Sequence, residues 1–273
     1  MNSKKWHIIA SLITVLLLSA ACASASRPRL EKPQFTHRYY THTILYAPEQ
    51  PSTSHKLEVA LALLLVHYPE KYTEFLYEIL YKEHSPNLYR DRLIREQRDN
   101  YRRKMALKEN SKVSYESPNW RYAETINIEN LLPSSITLKR EDEIYEGGAH
   151  SFKKTQYIVL DMDDFKQIKV DDLFEDFQGD KLRFIVYEQL RSYGKLASGQ
   201  PLSEGIFFTD EPELTFNFYV TEEGLGLHWD AYQIAPHSEG SITIVLPWWK
   251  IQSLLRPSGI DLLEKFNIHF LDE

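Results

Sequence analysis

The chain has 273 residues, 42% of them hydrophobic, with 32 Lys and Arg against 39 Asp and Glu and a formal net charge of -7. That is enough apolar residue to build a core in one large domain or two small ones, and it excludes a disordered tail. The acidic balance excludes a globally basic nucleic-acid binder, so no nucleic acid is expected as a partner.

Residues 1–25 read as a secretory signal. Residues 1–5 hold two lysines, residues 8–18 are an almost uninterrupted apolar stretch, and residues 19–25 are small. The apolar run is short for a membrane span. Leu18-Ser19-Ala20-Ala21-Cys22 resembles a bacterial lipobox, departing from it at Ser19, and would make Cys22 the acylated N-terminus. Ala23-Ser24-Ala25 offers an A-x-A site instead, releasing a soluble chain from Ser26. Lipidation at Cys22 is the reading adopted, because an orphan thiol in an oxidising compartment invites unwanted pairing. Either route leaves a mature domain with no disulfide. The expected location is an exported, membrane-anchored lipoprotein, periplasmic or at the cell surface.

Residues 26–36, polar and basic with Pro28 and Pro33, read as a tether. The domain is placed at 37–273, with an N-terminal part over about 37–175 and a C-terminal part over about 176–256. Residues 38–46 are rich in β-branched and aromatic side chains, a turn-like loop follows, and residues 57–66 are strongly apolar, which together predict a β-hairpin. A continuous apolar run also fits a buried helix, and periodicity does not separate the two. Tyr72, Phe75, Leu76, Ile79 and Leu80 form an amphipathic helical stripe, interrupted by Pro86. Residues 88–109 are highly charged and predict a long helix. The Arg and Lys run over 90–108, interleaved with Asp and Glu, reads as its solvated face.

Strands are predicted over 120–129, 135–140 and 155–161, in an antiparallel sheet. Met162-Asp163-Asp164 is a turn, Asp171 and Asp172 cap a helical turn, and residues 181–193 carry a helical stripe that should pack on the sheet. Residues 214–220 and 225–229 predict a hairpin about Glu222-Glu223-Gly224, residues 241–246 another strand, and Pro247 the start of a helix through 255. The fold class is α+β: an antiparallel β-sheet with helices packed mainly on one face.

Two motifs stand out. Tyr145-Glu146-Gly147-Gly148-Ala149-His150 precedes a strand and Val170-Asp171-Asp172-Leu173-Phe174. Residues 216–225 then lead to Tyr232-Gln233-Ile234-Ala235-Pro236-His237-Ser238-Glu239-Gly240 and to an apolar strand with a Leu-rich helix. In order and spacing, from about residue 36 to 255, this resembles the extracytoplasmic domain of RsiV-like proteins. The resemblance implies a binding module, found in anti-sigma factors that sense lysozyme, beside peptidoglycan deacetylases, and in stand-alone lipoproteins. Short sequence ahead of the apolar run and the lack of a metal-dependent deacetylase motif lead to the expectation of the module alone on a lipid anchor. Its expected partner is a lysozyme-like protein or peptidoglycan, and its expected contact residues are Tyr145, Gly147, Gly148, His150, Tyr232, Pro236 and His237.

Each motif also has a plain structural reading. Gly147-Gly148 suits a tight turn needing positive φ. In the second motif, Tyr232 and Ile234 suit a strand exit that fills the core. His228 and Asp230 stand two apart and share a face of a strand, where a carboxylate can orient an imidazole. With His150 and His237 they outline an acid/base or metal site, but no metal-ligand spacing such as H-E-x-x-H occurs. No G-x-S-x-G elbow, P-loop or dinucleotide fingerprint occurs either. Hence no catalytic residue, cofactor or metal is assigned, and a non-enzymatic role is expected. An envelope-glycan hydrolase or deacetylase around His150, His228 and Asp230 is the alternative, and a purely structural envelope protein a third reading.

Overall fold

The computed structural model describes residues 34–49, 54–67, 70–109 and 119–270. Cys22, the signal segment and the tether up to residue 33 lie outside the described residues. The first strand, β1 (Gln34–Leu45), reaches back to Gln34, three residues into the segment read as tether. It pairs antiparallel with β2 (Lys56–His67), so the apolar run is strand and the hairpin forms as the sequence predicts. From Gln34 onward the protein is one compact unit.

Two helices follow, α1 (Glu70–Tyr81) and α2 (Pro86–Glu109). In α1 the predicted stripe is buried at Tyr72, Leu76 and Leu80. At the start of α2, Ser85 Oγ accepts the Asn87 N–H, and Pro86 occupies the first turn, where its missing N–H costs nothing. Tyr89, Leu93, Tyr101 and Met105, spaced in fours and eights, are the buried side of α2. Its charged side carries Arg90–Asp91, Arg92–Glu96 and Arg98–Asp99 ion pairs. The basic run is therefore a solvated face, in part neutralised by its own interleaved carboxylates.

The chain then adds β3 (Trp120–Leu132), β4 (Ser135–Tyr145), β5 (Phe152–Asp161) and β6 (Lys166–Ile168), giving a six-stranded sheet in sequential order. All neighbours are antiparallel except β2 and β3, which run parallel. The sheet is thus mostly antiparallel, in keeping with the α+β fold class, and at its one parallel pair α1 and α2 form the crossover that such a pair requires. After α3 (Val170–Leu173) and α4 (Asp180–Tyr193), a second sheet forms from β7 (Phe218–Val220), β8 (Gly224–Trp229) and β9 (Ile242–Pro247). The helix predicted from Pro247 to 255 is a short α5 (Trp248–Ile251) followed by a 3-10 turn, and α6 (Pro257–Lys265) completes the fold.

Strand β5 separates two cores. Ile158 and Leu160 join α1, α2 and the large sheet, whereas Val159 joins the core built from α3, α4, α6 and the small sheet. Helix α4 buries Leu182, Val186 and Leu190 against β9 of the small sheet. Helix α6 contributes Leu263 to the second core, with Phe266 and Ile268 just beyond it, and Lys265 bonds both oxygens of the buried Asp161 at the end of β5.

Under α2 the buried Glu124 lies close to the half-buried Asp142. Tyr89 and Tyr122 both donate to Glu124 Oε2, Tyr122 also donates to Asp142, and Arg140 on the next strand reaches the Leu80 carbonyl. Burial raises the Glu124 and Asp142 carboxyls above the ordinary carboxylate range, with Arg140 acting against the shift. A carboxyl raised in the folded state favours folding most while it is protonated, and that contribution is lost as pH climbs from the unfolded value of about 4.3 through the folded one. Glu124→Gln removes the ionisation. The expected outcome is a flatter dependence of the urea midpoint on pH above about 4.3, with the variant gaining on the parent toward alkaline pH. Parallel pH profiles for the two proteins refute it.

Candidate functional site

The site begins with an open strand edge. Strand β6 covers only Val159–Asp161 of β5, leaving the outward N–H and C=O groups of Thr155 and Tyr157 without a strand partner. Side chains replace one. Asn217 Oδ1 accepts the Tyr157 N–H at 2.8 Å, while Asn217 Nδ2 donates to the Thr155 carbonyl at 2.7 Å. Asp230 Oδ1 accepts the Thr155 N–H at 2.8 Å. A third link runs from Asn130, beside an irregularity in β3, to the Val220 carbonyl of β7. The predicted strand over 214–220 alternates in sequence, but Asn217 spends its side chain on β5, and regular pairing with β8 starts at Phe218.

Aromatic rings close the same junction. Tyr157 of β5 meets Tyr219 of β7 at 4.8 Å and His228 of β8 at 5.5 Å between centroids. The Tyr219 ring lies over Gly226, where an added Cβ would come within 2.1 Å of it, so only glycine fits. His228 is buried, with Nδ1 2.8 Å from Thr243 Oγ1 and Nε2 3.2 Å from Asp230 Oδ1. Both of its ring nitrogens are engaged. His228 and Asp230 share a strand face as expected, and what they build is a strut between the two sheets.

The junction fixes the two recognised motifs beside one another. Tyr145 ends β4 opposite Arg121, and Glu146 is held by Lys104 of α2. Gly147 turns the chain with φ 84, where a side chain would be strained, whereas Gly148 needs no positive φ and faces open space. The turn leaves His150 exposed at the start of β5. In the second motif Gln233 folds back, its Oε1 accepting the Asp230 N–H and its N–H donating to the Asp230 carbonyl. Ile234 and Ala235 are buried and anchor the loop. Tyr232 does not fill the core as the plain structural reading has it: it is 60% exposed with φ 71, because Ile234 takes the inward position. Pro236 is exposed and leads into the 3-10 turn His237–Glu239.

Across the gap, the His150 and His237 rings stack at 5.1 Å and 22°, and Tyr232 lies 5.2 Å from His237. The structure thus joins His150, Tyr232 and His237 in one ring cluster. Tyr145, Gly147, Gly148 and Pro236 shape the loops that carry it. Two grooves flank the neighbouring Phe216 and Gln233. One, of about 540 Å³, runs along residues 208–216; the other, of about 440 Å³, follows the edge of β5. Sequence reasoning missed the exposed Phe208 and Phe216. Phe216 sits in the run that reads as strand, but β7 starts only at Phe218 and leaves Phe216 outward. Among the described residues no cluster of three or more His, Cys, Asp or Glu is placed to hold a metal ion, and no helix is long and apolar enough to cross a membrane.

If the side-chain bridge holds the site together, Asn217→Ala should lower the unfolding free energy by about 2 kcal/mol, since it strips partners from two backbone groups. Hydrogen exchange at the Tyr157 amide should quicken with it. Unchanged urea midpoint and exchange rate would exclude this role.

Residues 171–249 match a family described as "Protein of unknown function (DUF3298)". Two solved structures are similar. A member of the DUF3298 family from Bacteroides fragilis NCTC 9343 superposes with a TM-score of 0.68 at 17% identity, covering 85% of this chain and 97% of that one. A DUF3298 family protein from Pseudomonas aeruginosa PAO1 gives 0.56 at 16%, covering 84% and 96%. No curated protein matches the chain. At these identities the likeness is one of fold, and the narrower resemblance to RsiV-like domains rests on the motifs alone. The protein is thus similar to DUF3298 proteins in sequence over residues 171–249 and in fold over most of its length.

Proposed function

We propose that this protein is a non-catalytic binding module of the cell envelope that recognises a lysozyme-like muramidase or peptidoglycan. The observation that carries the reading is the meeting of the two motif loops, far apart in sequence, in one solvent-facing cluster of His150, Tyr232 and His237. A tyrosine held at φ 71 while more than half exposed is backbone strain without any return in core burial, and such strain accumulates at contact surfaces. The narrower RsiV-like resemblance supplies the ligand class. A signal segment with lipidation at Cys22 places the module outside the membrane in this reading, anchored by its N-terminal lipid.

An envelope-glycan hydrolase or deacetylase is the alternative. Against it, His228 has both nitrogens occupied and is buried, while His150 stacks on His237. A catalytic base needs a free nitrogen facing substrate.

Pull-down of the full chain with lysozyme and with purified sacculi tests the reading, and saturable binding to at least one is expected. Tyr232→Gly separates recognition from folding. Relaxing φ should leave thermal stability equal or slightly higher, while loss of the ring should weaken binding several-fold. Binding to neither target rejects the proposal, as does turnover of wall glycan that a single polar substitution abolishes.

A further inference from the structure

The larger groove has a chemical character that the ring cluster lacks. Phe208 and Phe216 stand 52% and 61% exposed on it, Trp229 lines it from within the core, and its charged lining consists of Glu211 and Glu213. Among the described residues no Lys, Arg or His lines this groove, and neither glutamate has an ion-pair partner. The adjacent Asp210 accepts the Ser203 N–H, and Arg191, the cation that acts on Asp210, is taken by Glu188 and the Gln200 carbonyl. Within this lining the negative charge therefore meets no cation beside the exposed Phe208 and Phe216, although Lys154 and Lys169 line the adjoining groove on the β5 side. Isolated apolar side chains on a surface mean little, but large rings rimmed by polar groups mark contact sites. Aromatic faces and carboxylates attract the same partner group, a guanidinium or ammonium.

We infer that this groove docks an extended basic segment of a protein partner, seating an Arg or Lys side chain between Phe208 and Phe216 and against Glu211 and Glu213. The occupant follows from charge complementarity: an acetylated glycan strand offers no cation for two unpaired carboxylates, whereas each Arg or Lys of a basic peptide supplies one. The groove is continuous with the site above, since Gln233 and Ile234 line it and Tyr232 precedes them in the same loop. The inference rests on the binding reading and selects its protein branch. Exposed pairs of this kind act through on-rate and weaken with salt.

The test is titration of the full chain with a fluorescent arginine-rich peptide at low and at physiological salt. Saturable, salt-weakened binding is expected. Glu211→Gln with Glu213→Gln should weaken it roughly three- to tenfold, and Phe216→Ala roughly two- to fivefold. Glu222→Gln with Glu223→Gln, in the exposed β7–β8 turn outside the groove, makes the same change in net charge and should leave binding unaltered. No saturable binding, or equal loss in both double variants, overturns the inference. Tetramethylammonium or methylguanidinium binding as tightly as the peptide also overturns it and makes the groove a small-cation site. Lysozyme capture by the Glu211/Glu213 double variant at parental strength would sink the groove while leaving the envelope-binding reading intact.

Discussion

A sheet edge cannot be left half buried without partners for its amides, and that constraint shapes the C-terminal half of this protein. Thr155 is 8% exposed, so its N–H and C=O must be satisfied within the fold. A longer β6 would do so, but the chain turns away at Val170 into α3. Asn217 and Asp230 therefore imitate a strand with side chains, and in doing so they set the small sheet against the large one. A primary amide suits the task because it donates and accepts at once, matching adjacent backbone groups. A paired strand would have buried this edge and closed the groove along it.

The same arrangement explains which parts of the fold were legible in the sequence. The first hairpin, both long helices and β3 to β5 follow from local patterning, because each buries a periodic face: Tyr72, Leu76 and Leu80 in α1, Leu182, Val186 and Leu190 in α4. Parallel pairing of β2 with β3 was not legible, since nothing in either strand records its neighbour's direction. Nor was the division into two sheets. Residues 214–220 alternate as a strand should, yet regular pairing starts only at Phe218, and nothing local records that Asn217 turns its side chain to β5. The motif residues were legible as unusual, their convergence was not: the stacking of His150 on His237 depends on a junction made by residues outside both motifs.

Two sets of acidic groups show how burial decides the role of a carboxylate. Glu124 is 3% exposed, bonded by two tyrosines and close to Arg140, so its charge is a cost borne inside the fold, and burial drives its carboxyl toward the protonated form. Glu211 and Glu213 are exposed and unpaired, with no such penalty and no internal use. The first set holds α2 to the large sheet. The second leaves a local field directed outward, on a protein whose net charge is already -7.

The histidines of this edge are tied into structure or into one another. His228 is consumed as a strut between Thr243 and Asp230, sharing with the Thr155 N–H the same Asp230 oxygen. His150 and His237 face each other as rings, offering flat, half-polar surface beside Tyr232. Rigid rings carry contact area at small entropic cost, and loops anchored by Ile234 and Ala235 on one side and by Lys104–Glu146 on the other hold them preorganised. In the proposed binding role, an edge already ordered in this way would cost a partner little to engage.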